Sequence, residues 1–206
     1  MRRSDLLLAL GSLALVLAGC ANSLESSWRD PATNADSLHF HKILVVAMTR
    51  DGGMRRSAED QLVRALQESP RAKSGELTVT PSYVEVPDAK LGDVEKARAT
   101  VEARGYDGVV MLTPLSAQQK ITVDPPMYTP MWGYYGRAGM LYDPGSVRSD
   151  TIVRVQTNIY SVKDGKLLWS GTSRTTNPRN VERLVENVVR DVVHALRDQG
   201  LLPPAP

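Results

Sequence analysis

The feature that most constrains the fold is a repeated order of strand and helix patterns in the first half of the chain. Residues 41–48 (HKILVVAM) and 106–112 (YDGVVML) are short, nearly continuous apolar runs, typical of strands covered on both faces. Between them, residues 57–69 carry an apolar helical stripe, residues 77–86 predict a strand, and residues 93–105 predict a second helix. Two strand–helix–strand units in succession favour a parallel sheet with right-handed crossovers.

Local signals set the expected ends of these elements. Ser57, with Asp60 three places on, resembles a capping box and predicts that the first helix begins there. Pro81 predicts that the second strand lies at an edge or contains a bulge. Gly105 predicts the end of the second helix. Alternating residues as far as Val123 extend the third strand.

The second half changes to an antiparallel pattern. Residues 151–160 alternate between apolar and polar side chains, and Asp164-Gly165 predicts a two-residue hairpin turn into the strand at 167–172. Helical spacing of valine and leucine predicts a final helix that begins at about Pro178 or Val181, ends at Gln199 and lies flat on the sheet. The predicted fold class is α/β: a single mixed sheet, with a parallel βαβαβ core, an antiparallel hairpin and about three helices packed on it.

The N-terminus has the pattern of a lipoprotein signal peptide. Arg2 and Arg3 precede an apolar run at 6–18, and Leu17-Ala18-Gly19-Cys20 forms a lipobox. The alternative is a retained membrane helix, but about 13 apolar residues fall short of the roughly 20 needed to span a bilayer. We therefore expect cleavage between Gly19 and Cys20, with diacylglycerol and palmitate on Cys20. Two or three acyl chains then anchor the protein stably.

The sequence divides into three parts on this interpretation. Residues 1–19 are the signal peptide, residues 20–38 are a lipidated N-terminus and flexible tether, and residues 39–206 are one α/β periplasmic domain. The tether is polar and shows neither strand nor helix periodicity. Its exception is Trp28, which we expect to fold back onto the domain; the alternative is a binding role.

Composition and motifs argue against several functions. The formal net charge is +2, from 25 Lys+Arg and 23 Asp+Glu, and such a balance argues against a nucleic-acid binder. Lipidation of the single cysteine leaves no disulfide and no thiol nucleophile. Nucleotide-binding glycine loops, G-x-S-x-G, H-E-x-x-H and paired-cysteine motifs are missing from the sequence. We expect no cofactor, no metal and no enzymatic activity.

The main candidate binding segment is residues 122–150, a long Gly- and Pro-containing stretch between two predicted strands. Rigid aromatic side chains give large contact areas at low entropic cost. The segment carries five of them: Tyr128, Trp132, Tyr134, Tyr135 and Tyr142. The alternatives are a lid folded over the sheet and a disordered loop.

Two weaker candidates involve basic residues. The turn at 49–56 joins a strand to a helix N-terminus, where free N–H groups favour anions, and it contains Arg50, Arg55 and Arg56. Surface arginines are the default interpretation. His39 and His41 have the spacing of two metal ligands on one strand face, but no third ligand is evident, so structural or surface histidines are favoured. His194, four residues before Asp198, is expected on a helix face.

Several short motifs across the mature chain resemble a family of uncharacterised proteobacterial lipoproteins. They are the lipobox, SWRDP at 27–31, KILVVA at 42–47, Arg55-Arg56 with Glu59-Asp60, PSY at 81–83, YDGVV at 106–110 and KLLWSG at 166–171. This resemblance carries no known activity or catalytic residues. The predicted topology is also similar to the periplasmic domains of CsgG and LpoB and to the N-terminal part of TolB, as an analogy of fold alone. Ala21, where Asp signals inner-membrane retention in enteric-type lipoproteins, implies the outer membrane, facing the periplasm.

The expected function is that of a membrane-anchored, non-enzymatic binding or adaptor module for another component of the bacterial envelope. The partner is expected to be an envelope protein. One alternative is a subunit of an oligomeric secretion or pore assembly, although Ser116–Val123 is too polar and too short for a membrane-spanning strand. The other is a lipoprotein that binds a small molecule or glycan.

Overall fold

The computed structural model describes residues 24–85, 94–124 and 146–203. These residues form one mixed sheet with the strand order β1-β6-β5-β4-β2-β3. The strands are β1 (Leu24–Arg29), β2 (Lys42–Ala47), β3 (Thr78–Pro81), β4 (Gly108–Asp124), β5 (Ser146–Ser161) and β6 (Lys166–Thr176). The helices are α1 (Gly52–Gln67), α2 (Pro70–Lys73), α3 (Ser82–Glu85), α4 (Val94–Ala103) and α5 (Val181–Asp198).

The pairing confirms the predicted fold class. β2 pairs in parallel with β3 and β4, whereas β4–β5, β5–β6 and β1–β6 are antiparallel. Five helices are described rather than three, because α2 and α3 are single turns of four residues each. No helix among the described residues is long and apolar enough to cross a membrane.

One face of the sheet carries the main core. Alternate residues of the strands, such as Val45, Val110, Ile159 and Trp169, are buried there with α1 and α5 packed over them. The valines of α5 point towards this face, since Val185, Val188 and Val192 are buried. This face is called the helix face below. On the opposite face Leu44 is also buried, beside the edge where β3 ends.

The final helix confirms its prediction. The Asn180 side chain accepts a hydrogen bond from the Arg183 N–H at 2.9 Å, which caps the helix N-terminus. Gly200 has φ 69°, the left-handed conformation that commonly ends a helix. Between these ends a valine and leucine stripe buries one side of the helix.

The first helix begins five residues earlier than predicted. Asp51 is its N-cap, because its carboxylate accepts the Met54 N–H at 2.7 Å, and the helix starts at Gly52. The prediction of a capping box at Ser57 is therefore wrong. Arg55 and Arg56 belong to the helix rather than to a turn.

The second strand is shorter than predicted. β3 ends at Pro81, and α3 follows immediately, because the Glu59 carboxylate accepts hydrogen bonds from Ser82 Oγ at 2.7 Å and from Tyr83 N at 3.0 Å. The hairpin between β5 and β6 also differs. Its loop has four residues, 162–165, with φ 59° at Gly165, rather than the two-residue turn predicted.

The prediction of a flexible tether through Leu38 is wrong for residues 24–38. Leu24–Arg29 form an edge strand on β6, and Asp36–Leu38 form a 3-10 turn with Leu38 buried. Trp28 is held in this strand with 49% of its surface exposed. The lipobox, including Gly19 and Cys20, lies outside the described residues.

β4 and β5 form the longest pairing of the sheet, and it runs beyond its neighbours. β2 last pairs with β4 at Leu112, and β6 last pairs with β5 at Ile152, yet β4 and β5 stay paired as far as Asp124 and Ser146. Strand β4 therefore extends through Val123, as the alternation predicts, and residues 124 and 146–150, predicted only as loop, are also strand. The five aromatic residues of the predicted binding segment lie outside the described residues.

Candidate binding surface

The sheet face opposite α5 presents a row of mainly polar side chains across β1, β6, β5 and β4. Register places Trp28, Ser170, Asn158 and Met111 side by side in this row. The next row contains Ser26, Thr172, Gln156 and Thr113. All eight residues retain exposed or partly exposed surface. We call these two rows the open face.

Hydrogen bonds fix the amides of the open face. Gln156 Nε2 donates to Ser170 Oγ at 3.1 Å, and Asn158 Nδ2 donates to Tyr160 Oη at 3.3 Å. The Asn158 Oδ1 atom is buried and has no hydrogen-bond partner among the described residues. A buried amide oxygen without a partner is costly, so this atom is a candidate acceptor for a bound group or water.

Charged residues border the open face where β1 begins. Arg154 Nε donates to Glu25 Oε2 at 2.7 Å, and Arg174 Nε lies 4.0 Å from Glu25 Oε1. The hydrogen bond from Arg154 lowers the pKa of Glu25 below its ordinary value, and the same bond raises the pKa of Arg154. This end of the open face therefore carries an ion pair between β1 and β5.

The arginines of the weak anion candidate are not brought together as a site. Arg55 is buried, and its Nε contacts Glu59 Oε1 at 3.1 Å, so an external anion cannot use it. Arg56 lies over the Tyr83 ring, 5.9 Å from its centroid, and Arg50 is exposed in the turn. The Tyr83 hydroxyl donates to Asp60, which raises the pKa of Tyr83.

Glu59 belongs to a buried polar cluster that holds elements together. Its carboxylate is fully buried and accepts hydrogen bonds from Ala47 N at 3.0 Å, Arg55 Nε, Ser82 Oγ and Tyr83 N. These donors lie at the end of β2, within α1 and at the start of α3. The cluster therefore joins three elements. Because Glu59 is 0% exposed, a substrate cannot reach its carboxylate.

The histidines have separate partners. His41 Nδ1 lies 3.2 Å from Asp107 Oδ2, and His39 Nδ1 lies 3.3 Å from an Arg71 nitrogen. Within the described residues no group of three potential metal ligands occurs. His194 contacts Asp198 at 2.8 Å on α5, beside an open depression of about 770 Å³ that Ala35 and Leu202 also line.

The open face is the surface that sequence reasoning missed. The polar side of the 151–160 alternation was evident, but β1 was not predicted, so nothing indicated that Trp28 continues the same row. The available signal was the tryptophan in the motif at 27–31, an aromatic residue in an otherwise polar segment.

Comparisons with known proteins give distant similarities. No family model and no curated protein matches the sequence. A PelC dodecamer from Paraburkholderia phytofirmans is similar in structure, with a TM-score of 0.45, 15% identity, and coverage of 81% of this chain and 92% of that one. Lipoprotein GNA1162 from Neisseria meningitidis gives a TM-score of 0.39 at 18% identity, covering 76% of this chain and 98% of that one. TM-scores this low carry no argument about the fold. The fold class, an α/β domain with one mixed sheet, therefore rests on the observed strand order.

Proposed function

We propose that this protein is a lipid-anchored, non-enzymatic binding module of the bacterial envelope, held at the outer membrane and facing the periplasm. The observation that carries the proposal is the open face, which spans four strands and begins on β1, four residues after Cys20. The proposed partner is another envelope protein. The aromatic residues at 128–142 remain a predicted part of the contact.

The composition of the open face supports polypeptide recognition. It combines an exposed tryptophan, Trp28, with amide and hydroxyl groups that both donate and accept hydrogen bonds. Aromatic residues supply much of the binding energy at protein interfaces, whereas exposed lysine and glutamate are depleted there. Neither of the two central rows contains a charged residue. The charges of Glu25, Arg154 and Arg174 lie at one border, which is the arrangement expected of a polar rim.

In-cell photocrosslinking tests the surface. A photoreactive residue is placed at one of four test positions: Gln156 or Thr172 on the open face, and Trp132 or Tyr135 in the aromatic segment. The control position is Gln67, at the exposed end of α1. One foreign envelope protein captured from the open face, but not from Gln67, supports the proposal. Adducts only with the same chain support an oligomeric assembly instead. No adduct at the four test positions, in an abundant membrane-bound protein, argues for a glycan or small-molecule ligand.

The lipid anchor is tested separately. Metabolic labelling with a palmitate analogue should mark the wild-type protein, and C20A should remove both the label and membrane association. An unlabelled wild-type protein that stays membrane-bound contradicts the anchor.

A further inference from the structure

The start of β1 and the β4–β5 extension lie at the same end of the sheet. β1 and β5 both pair antiparallel with β6, so they run in the same direction. Leu24 and Val155 each pair with Ser173, which places the start of β1 level with Val155. The chain before Leu24 therefore leaves the domain at the end towards which β5 extends back to Ser146.

The anchor is short. Only three residues separate Cys20 from Leu24. At about 3.5 Å per residue, the chain places the lipidated residue within roughly 14 Å of the start of β1. A domain attached in this way stays close to the bilayer surface.

The extension is long in comparison. From Val155 to Ser146 the paired strand continues for nine residues beyond the level of Leu24, or about 30 Å at 3.4 Å per residue. Strand twist turns β5 by about 45° from β1, which leaves roughly 20 Å along the direction of β1. The far end of this extension, Gln119–Asp124 paired with residues 146–151, therefore reaches at least as far as the anchor. We call these two paired segments the ribbon.

The ribbon exposes an aliphatic side chain. Ile121 has 65% of its surface exposed. Register places Ile121 on the same side as Ala117 and Gln119, opposite Ser149 and Thr151. This side bears no charged residue among those described. Lys120 lies on the other side, opposite Asp150 in register.

We infer that the ribbon is a second membrane contact, in which Ile121 enters the boundary between headgroups and acyl chains of the bilayer that holds Cys20. This inference rests on the proposed lipid anchor. The contact is apolar because the side of Ile121 carries no charged residue among those described. The four charged residues of the ribbon, Lys120, Asp124, Arg148 and Asp150, sum to zero, so headgroup charge has little effect on it. The ribbon lies on the surface rather than across the membrane, since its six-residue strands are shorter than the 9–11 residues needed to span.

Spin-label accessibility in the full lipidated protein tests this contact. With Cys20 acylated, a cysteine introduced at position 121 is the only free thiol. I121C, Q119C and the controls K120C and Q67C are spin-labelled in vesicles of phosphatidylethanolamine alone or with phosphatidylglycerol. We expect the label at 121 to be several-fold more accessible to oxygen, and less to a water-soluble nickel chelate, than the labels at 120 and 67. The two vesicle compositions should give the same result.

The outcomes separate the two proposals. Mass spectrometry and vesicle flotation first establish whether Cys20 carries lipid and holds the protein on vesicles. Failure there overturns both the anchor and the ribbon contact. A protein that floats normally, with position 121 as exposed to the nickel chelate as position 67, overturns the ribbon contact alone. I121D, at an exposed position, should keep flotation while moving a label at 119, on the same side of the ribbon, into water; no change at 119 contradicts the inference.

Discussion

Glu59 shows how one residue can fix the junction of three elements. Its buried carboxylate faces the Arg55 guanidinium and accepts hydrogen bonds from β2 and α3. E59Q keeps the shape but removes the charge, and breaking a buried pair from one side typically costs 3–5 kcal/mol. We expect urea denaturation to show about 3 kcal/mol lower stability. E68Q, at an exposed pair with Lys73, is the control and should change stability by less than about 1 kcal/mol. Equal effects of the two variants would contradict the structural role of Glu59.

Gly171 is required by the ring beside it. A Cβ at this position would lie 2.2 Å from the Trp169 Cη2 atom, and Trp169 is fully buried against the helix face. We expect G171A to displace the ring and lower the free energy of unfolding by about 1–3 kcal/mol, the usual cost of overpacking a core. Near-UV circular dichroism and a urea titration measure both effects. T172A, the next residue but on the open face, should leave the tryptophan signal unchanged; a similar change there would show that ring contact is not the cause.

At the scale of elements, sequence patterns predicted those that bury one continuous apolar stripe. β2 and α5 have such stripes, so periodicity located both. β1 was missed because LESSWR is an edge strand whose residues are mostly exposed, and its position comes from pairing with β6. The start of α1 was missed because two glycines follow the Asp51 cap. The open face was missed for the same reason as β1, since tertiary pairing brings its rows together.

β1 is held at both ends by carboxylates, which makes its attachment sensitive to acid. Arg154 lowers the pKa of Glu25, and Lys166 lowers the pKa of Asp30 through an ion pair. A carboxyl whose pKa is lowered by folding stabilises the fold at pH values above the pKa of the unfolded chain, which is 4.5 for Glu25. That stabilisation is lost as the pH falls through the lower pKa of the folded state. We expect amide resonances of 24–29 to shift between pH 6 and pH 3. E25Q should abolish the response near Leu24 and retain it near Asp30; a full response in E25Q would contradict this assignment.

At the scale of the molecule, α5 connects the two halves of the sheet. It packs on β1, β5 and β6 and also against α1, which covers β2 and β3. Gln199, just after the helix, accepts from Trp169 Nε1 at 3.1 Å and donates to Ser27 Oγ at 3.0 Å. The parallel and antiparallel parts therefore share one core rather than forming two independent units.

This shared core predicts a single cooperative unfolding transition. Val63 lies on α1 over the parallel part, and Val188 lies on α5 over the antiparallel part; both are buried. V63A and V188A should each lower stability by about 2 kcal/mol through lost contacts and a small cavity. Because small single domains usually unfold in one step, either variant should shift circular dichroism and tryptophan fluorescence curves together. V84A, at a position 59% exposed, is the control and should shift neither curve appreciably. If V63A moved the circular dichroism curve while the tryptophan fluorescence kept its wild-type midpoint, the two halves would unfold separately and α5 would not couple them.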